Sequence, residues 1–157
     1  MTASTLAGSV RELAPDLKDR LRRRLEFVPA LQLLGPLLEQ LEPGLCVLKL
    51  PFRRELTNGS GTIHGGVLAT LADTAMAFAL STNFDGKMGF ATSDLTIHFL
   101  RRARSDVWAR ARVVKKGRRV NVGEVDVVDE QGESVARAMT SFILTTSSFD
   151  YAPEERT

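Results

Sequence analysis

Asn58-Gly-Ser-Gly-Thr-Ile-His64-Gly65-Gly66-Val-Leu-Ala-Thr-Leu-Ala-Asp73-Thr-Ala-Met-Ala-Phe-Ala-Leu80 joins a polar, glycine-rich loop to a long apolar run. The run continues to about Thr82 with small or apolar residues on nearly every face, so it reads as a helix too hydrophobic to face water. One carboxylate, Asp73, sits in its middle, and no other charge lies between Glu55 and Asp85 to pair with it locally. Desolvating an ionised side chain is expensive, so a charge in such a place needs a partner or a task. The first backbone N–H groups of a helix have no partner within it, and Gly65 and Gly66 stand at those positions. Glycine lets a ligand approach the backbone closely, and the helix dipole favours negative charge at that end. A developing oxyanion fits such a site. His64 is placed to cap the helix or orient a polar group, and Asn58 offers an amide that both donates and accepts. A carboxylate base or nucleophile plus an oxyanion donor is the minimum needed for attack on an acyl carbonyl.

Downstream of the helix, Asp85-Gly86 marks a turn and the pattern switches to alternation. Leu95, Ile97 and Phe99 alternate with Thr96 and His98, and Val107, Ala109, Ala111 and Val113 with Trp108, Arg110 and Arg112. Val120–Val128 and Val135–Leu144 supply two more strands, joined as a hairpin through Asp129-Glu-Gln-Gly132. Upstream, Leu45–Leu56 reads as a first strand. Leu13, Leu17, Leu21, Leu25 and Val28 recur at helical spacing, giving an amphipathic helix ended by Pro29. Leu31–Leu41 is a shorter apolar segment, broken at Gly35-Pro36 and closed by Pro43-Gly44. Residues 1–8 are small and polar and are expected to be disordered. One long apolar helix against about five strands is packed most economically by an antiparallel sheet curled around that helix, an α+β arrangement. One sheet leaves a flank of the helix exposed, which a second copy would cover.

Asn-x5-His-Gly-Gly-x6-Asp opening an apolar helix resembles the hotdog-fold acyl-CoA thioesterases, closest to the phenylacetate-pathway (PaaI-like) branch and related to the 4-hydroxybenzoyl-CoA thioesterases. The likeness covers roughly residues 44–146. It includes Ala91-Thr-Ser-Asp-Leu-Thr-Ile-His-Phe-Leu-Arg-Arg-Ala103, similar to the family's second strand, and Lys116-Gly-Arg118 in the following hairpin. The resemblance implies a helical extension over residues 1–40, a hotdog thioesterase domain over 41–148 and a tail over 149–157. It implies hydrolysis of an acyl-CoA, with Asp73 as general base or nucleophile and the Gly65 N–H as oxyanion donor. His64 would touch substrate, Asn58 would position water or the thioester carbonyl, and Thr92 would help hold the attacking water. Certain relatives place a threonine one helical turn after the acid. Here that residue is Ala77, so the role falls to Thr92, Ser93 or Thr74. Gly66 and the cations Arg101, Arg102, Lys116 and Arg118 would bind substrate, the cations as a rim for the coenzyme A phosphates. Active sites at dimer interfaces are implied as well, in a homodimer or a homotetramer built as a dimer of dimers. Two rivals are an acyl-thioester hydratase or dehydratase and a non-catalytic acyl-CoA binding module. The acid inside the helix argues against the second, and His-Gly-Gly directly opening the helix argues against the first.

Composition bounds the remaining classes. A chain of 157 residues suits one domain with a real core. Hydrophobic content of 43% and charged content of 25% are ordinary for a globular protein. A net charge of +2, with no aromatic interleaving in the cation cluster of Arg101, Arg102, Arg104, Lys115, Lys116, Arg118 and Arg119, gives no case for nucleic acid. The single cysteine, Cys46, cannot form an internal disulfide and fits a reducing cytoplasm. The early residues do not read as a signal peptide, and the apolar run around 65–80 is too short for a membrane span. Two separated histidines make no metal site, and thioester hydrolysis needs no cofactor beyond the coenzyme A of its substrate.

Overall fold

The computed structural model describes residues 12–145, so the expectations for residues 1–8 and for the tail over 149–157 lie outside the described residues. Helix α1 (Leu17–Phe27) buries Leu17, Leu21 and Leu25 and leaves Lys18, Asp19, Arg22 and Arg23 exposed. Val28 ends it, and Pro29 opens a second short helix, α2 (Pro29–Leu34). Proline suits that position because a first-turn N–H has no helical partner to lose. Gly35 closes α2 in the left-handed region, at φ 67°.

The sheet has six strands where about five were expected: β1 (Leu37–Glu42), β2 (Leu45–Leu50), β3 (Gly89–Phe99), β4 (Val107–Lys115), β5 (Val120–Asp129) and β6 (Ser134–Thr145). The additional strand, β1, straddles residue 40, where the sequence reading ended the helical extension. Its alternation is broken by a register shift between Leu38 and Gln40, so Leu37, Leu38 and Leu41 fall at helix-like spacing although the segment is extended. Strand β2 stops at Leu50 and not at Leu56, because Pro51 has no N–H for the ladder. Residues Arg54–Leu56 form a turn of 3₁₀ helix instead. Strand order is β1-β2-β4-β5-β6-β3, with every pair antiparallel, and β1 and β3 are the edges.

This sheet wraps helix α3 (Gly65–Thr82). Leu68, Leu71, Ala72, Ala75, Met76, Phe78, Ala79 and Leu80 are buried, largely against the inward residues of β2, β4 and β5. Many of the sheet's inward residues are small, among them Ala109, Ala111, Ala136 and Ala138, so the helix sits close to the strands. The apolar run was expected to be too short for a membrane span, but at 18 residues α3 is the one helix among the described residues long and apolar enough to cross one; mostly buried, it is here the core helix of the sheet. Its C-terminal end is tied down from three sides. Gly44 N–H donates to Thr82 Oγ1 at 2.7 Å, Arg20 donates to Asp85 O at 2.7 Å, and Lys116 donates to Asn83 O at 3.0 Å. Both cations complement the negative end of the helix dipole. Asp85-Gly86 forms the expected turn, with φ of 51° and 67°.

Gly123 on β5 lets helix and sheet approach closely, for a Cβ there would overlap Met76 Sδ and Cε and lie 3.0 Å from Arg112 O. Met76 is fully buried and has nowhere to retreat. Gly123→Ala is expected to destabilise the fold by about 1–3 kcal/mol, the usual cost of overpacking. Thermal melts would read this as a lowered Tm. The loss should shrink in a Met76→Ala background, which opens the space.

Candidate active site

The loop before α3 is built from its own polar groups. Thr57 and Ile63 form a bridge, Asn58 N–H donates to Thr62 O at 2.8 Å, and Gly61 turns the chain at φ 71°. His64 N–H donates to Leu56 O at 2.9 Å, and Ile63 N–H donates to Ala103 O at 2.8 Å, which ties the loop to the segment after β3. Asn58 serves this loop. Its Oδ1 accepts from Ser60 N at 2.9 Å, Thr62 N at 3.3 Å and Thr62 Oγ1 at 3.1 Å. Only its amide nitrogen stays without a partner among the described residues, so Asn58 has a structural duty whatever else it does.

His64 is the N-cap of α3, and its Nδ1 accepts from the Gly66 N–H at 2.9 Å. This cap uses the donor of Gly66, one of the expected substrate contacts. The N–H of Gly65 has no partner among the described residues and remains available at the positive end of the helix. A neutral imidazole that accepts at Nδ1 carries its proton on Nε2, so exposed His64 presents a donor outward.

Asp73 lies two turns further along, half-buried on the flank of α3 that the sheet leaves open. Gly66, Ala69, Thr70, Asp73, Thr74 and Ala77 share this flank at helical spacing, and none of them is fully buried. Asp73 Oδ1 accepts from Thr92 Oγ1 at 2.8 Å. Of the three hydroxyls that could replace a threonine at Ala77, Thr92 is the one that reaches the acid. Thr74 donates back to Thr70 O at 2.8 Å, and Ser93 donates to Ser141 O at 3.1 Å.

Thr92 faces Asp73 because β3 carries a bulge. Its pairing with β6 shifts between Thr92 and Asp94, leaving Ser93 as the extra residue. Simple alternation would place Thr92 on the outer face with Thr96 and His98. The bulge turns it inward, to the same side as Leu95, Ile97 and Phe99. Two hydroxyls staple the irregularity: Ser93 as above, and fully buried Thr140, which donates to Asp94 O at 2.8 Å. Periodicity alone misses Ser93, Ser141 and Thr140. The run Thr92-Ser93-Asp94, polar across a strand that must bury one face, is the one sequence signal of the bulge.

Burial pushes the Asp73 carboxyl above the ordinary aspartate range, and the Thr92 hydrogen bond to the ionised form opposes that shift. A partly desolvated carboxylate held by one hydroxyl is a competent proton acceptor for water, or a nucleophile.

The four expected rim cations do not meet within one chain. Arg101 and Arg102 follow β3, beside the loop that opens α3, whereas Lys116 and Arg118 lie in the β4–β5 turn beside its C-terminal end. α3 has 18 residues and is roughly 27 Å long at about 1.5 Å per residue. Two of the four are already engaged. Arg101 pairs with Glu133 at 3.1 Å, and Lys116 holds the Asn83 carbonyl with its ammonium 4.7 Å from the Phe84 ring centre. Arg102 and Arg118 have no partner among the described residues.

A groove of about 790 Å³ crosses the outer face of the sheet, lined by Asp94, Thr96, His98, Arg110, Arg112 and Met139 among others. Neither Asp73, Thr92 nor Gly65 reaches it. The acid and the free N–H belong instead to the open flank of α3.

Residues 60–136 match the Thioesterase superfamily. The chain is 32% identical to the acyl-coenzyme A thioesterase PaaI of Escherichia coli over 98 residues, which are 61% of this chain and 68% of that one. It is 40% identical over 103 residues, 62% of this chain and 68% of the other, to a Halobacterium salinarum protein named as an esterase with no substrate stated. The structure of E. coli PaaI superposes with a TM-score of 0.79, covering 87% of this chain and 99% of that one at 24% identity, a likeness of fold. A sheet curled around one helix that opens with His-Gly-Gly, in a chain with these relatives, defines a hotdog-fold thioesterase-superfamily protein. The chain belongs to that superfamily, in its PaaI-like branch.

Proposed function

We propose that the protein is an acyl-CoA thioesterase that hydrolyses its substrate to a free acid and coenzyme A. One observation carries the reading: a half-buried carboxylate, Asp73, oriented by Thr92, on a helix whose first N–H, that of Gly65, has no partner. Asp73 takes a proton from water as it attacks the carbonyl carbon, or attacks that carbon itself. Gly65 N–H and the helix dipole stabilise the oxyanion that develops. Water is the only co-reactant, so no metal or redox cofactor enters the proposal. The single free thiol, buried Cys46, is consistent with a reducing, cytoplasmic setting.

A hydratase would use a histidine as acid or base over the substrate's α and β carbons. His64 is poorly suited as a base, since its Nδ1 is occupied by the Gly66 N–H. The test is thiol release from the purified protein over a panel of aryl, phenylacetyl-type and medium- and long-chain acyl-CoAs, run beside enoyl-CoA hydration. Turnover with thiol release supports the proposal, and hydration without thiol release overturns it.

The proposal includes assembly of two copies, and a homotetramer as a pair of such dimers. The stripe of small residues on the open flank of α3 permits close approach of a second helix. An antiparallel partner that brings its Asp73 to Gly65 also brings the C-terminal end of its α3 toward the Arg101–Arg102 end of the first chain. The two cation clusters, apart in one chain, then share one mouth suited to the phosphates of coenzyme A. Neutralising Arg102 and Arg118 together is expected to raise KM for an acyl-CoA roughly 3–10-fold with kcat little changed, as for exposed charge pairs. The effect should fade with a pantetheine thioester and at high salt. Equal losses on both substrates would place the phosphates elsewhere.

A further inference from the structure

Phe99 is the last residue of β3, and its side chain is 53% exposed although it points to the inner side of the sheet. It is held end-on against the start of α3. A Cβ built at Gly65 would lie 3.1 Å from Phe99 Cζ, 3.3 Å from Cε1 and 3.5 Å from Cε2, so the tip of the ring is aimed at Gly65. Neither partner can easily back away. Phe99 pairs with Ala136 on β6, and the N–H groups of Leu100 and Arg101 both donate to Val135 O, at 2.8 and 3.2 Å. On the other side, Ile63 N–H donates to Ala103 O and His64 N–H to Leu56 O, which fixes the backbone leading into Gly65. The ring therefore fills the gap between two clamped segments, beside the one first-turn N–H that the His64 cap leaves free.

We propose that Phe99 is a positioning residue for the Gly65 N–H, its ring tip seating the start of α3 and walling water from one side of that donor. The inference rests on the thioesterase reading of the site. Core packing within one chain does not explain the contact, since Phe99 is 53% exposed there. Two consequences follow. A donor aimed at a developing oxyanion works best when it is fixed in advance and partly dry, so loss of the ring tip weakens the transition state more than substrate binding. Alanine at position 65 would keep the N–H but would push the ring tip off its seat, since its Cβ would lie 3.1 Å from Phe99 Cζ.

The experiment compares Phe99→Leu, Gly65→Ala and the double variant with the parent, on the best acyl-CoA of the panel, with melting curves for each. Phe99→Leu keeps apolar bulk, removes the ring tip and changes a half-exposed side chain, so its Tm should stay near the parent's. Its kcat should fall on the order of 10–100-fold with KM little changed, as for a small misplacement of a reacting group. Gly65→Ala should also lose turnover. The double variant should be at least as active as Gly65→Ala alone, because leucine leaves room for the new methyl group. Parental kcat in Phe99→Leu overturns the inference. So do losses that simply multiply in the double variant, which would make the two positions independent. Asp73→Asn, run alongside, separates the two failures. If it is dead while Phe99→Leu is unchanged, only the role of Phe99 is wrong. If it turns over like the parent, the thioesterase site itself is wrong.

Discussion

Asp73→Asn is expected to lower kcat by on the order of 10²–10⁴-fold, the range for removal of a general base, while its Tm stays at or above the parent's. The amide is nearly isosteric, and its oxygen can still accept from Thr92 Oγ1, so the hydrogen bond at 2.8 Å has a successor. The stability half of the expectation comes from the sign of the pKa shift. Burial raises the folded-state value of Asp73 above that of the unfolded chain. Such a group favours folding while it is protonated, below its unfolded pKa, and that contribution is lost as pH rises through the folded pKa. Wherever it is ionised, the carboxylate is thus a burden on the fold, one that Asn removes. Activity runs the opposite way, since the reaction needs the carboxylate. kcat/KM should fall on acidification through the raised pKa, beginning at a higher pH than an exposed aspartate would give. A variant that melts like the parent and keeps more than about a tenth of its kcat would sink the assignment.

Mixed dimers of Gly65→Pro and Asp73→Asn should regain activity that neither homodimer has. Gly65 and Asp73 are eight residues apart, so about 12 Å of helix axis separates them at about 1.5 Å per residue. The attacking atom must lie about 3 Å from the carbonyl carbon whose oxygen the N–H holds. An aspartate side chain does not span that interval, and the acid's hydrogen bond is to Thr92 on β3, not to the helix start. The proposed site therefore takes its donor and its acid from two copies of α3. Proline deletes the N–H where a helix tolerates it, and His64, at φ −61° and ψ 137°, already has the extended backbone favoured before proline. A Cβ at position 65 would lie 3.1 Å from Phe99 Cζ, so melting curves must establish that each variant folds. In a mixed dimer one interface joins an intact Gly65 to an intact Asp73, which restores up to one working site of two. A site built within one chain gives no recovery at any mixing ratio, and verified heterodimers without activity would refute the shared site.

Much of this arrangement is legible in the residues themselves. The unbroken apolar run of α3 and the alternation of β4, β5 and β6 carry the fold, and Asp73 stands out because nothing near it in sequence can neutralise it. What escapes is irregular. β1 hides because its register shift at Leu38–Gln40 gives a strand the spacing of a helix. Thr92 is found by likeness and not by pattern, since alternation puts it on the wrong face until the extra residue at Ser93 is known. The separation of the cation clusters was in principle readable. β3 and β4 run in opposite directions, so the loop leaving each emerges at opposite ends of the sheet. Partners closed through backbone, such as Phe99 on Gly65, leave no trace in composition or period.

Ser93 acts on β3 as a one-letter insertion acts on a message read in alternating letters. Upstream of it, Phe90 and Thr92 are read toward the helix; downstream, the phase has changed and Leu95, Ile97 and Phe99 take that side. One strand thereby lays the hydroxyl that holds Asp73 and an apolar wall on the same surface, which an unbroken two-step rhythm would deal to opposite faces. The cost is intolerance of drift. If β3 slid by one residue along β6, Ala91 or Ser93 would stand opposite Phe142 in place of Thr92, and the inward and outward sides of the strand would exchange.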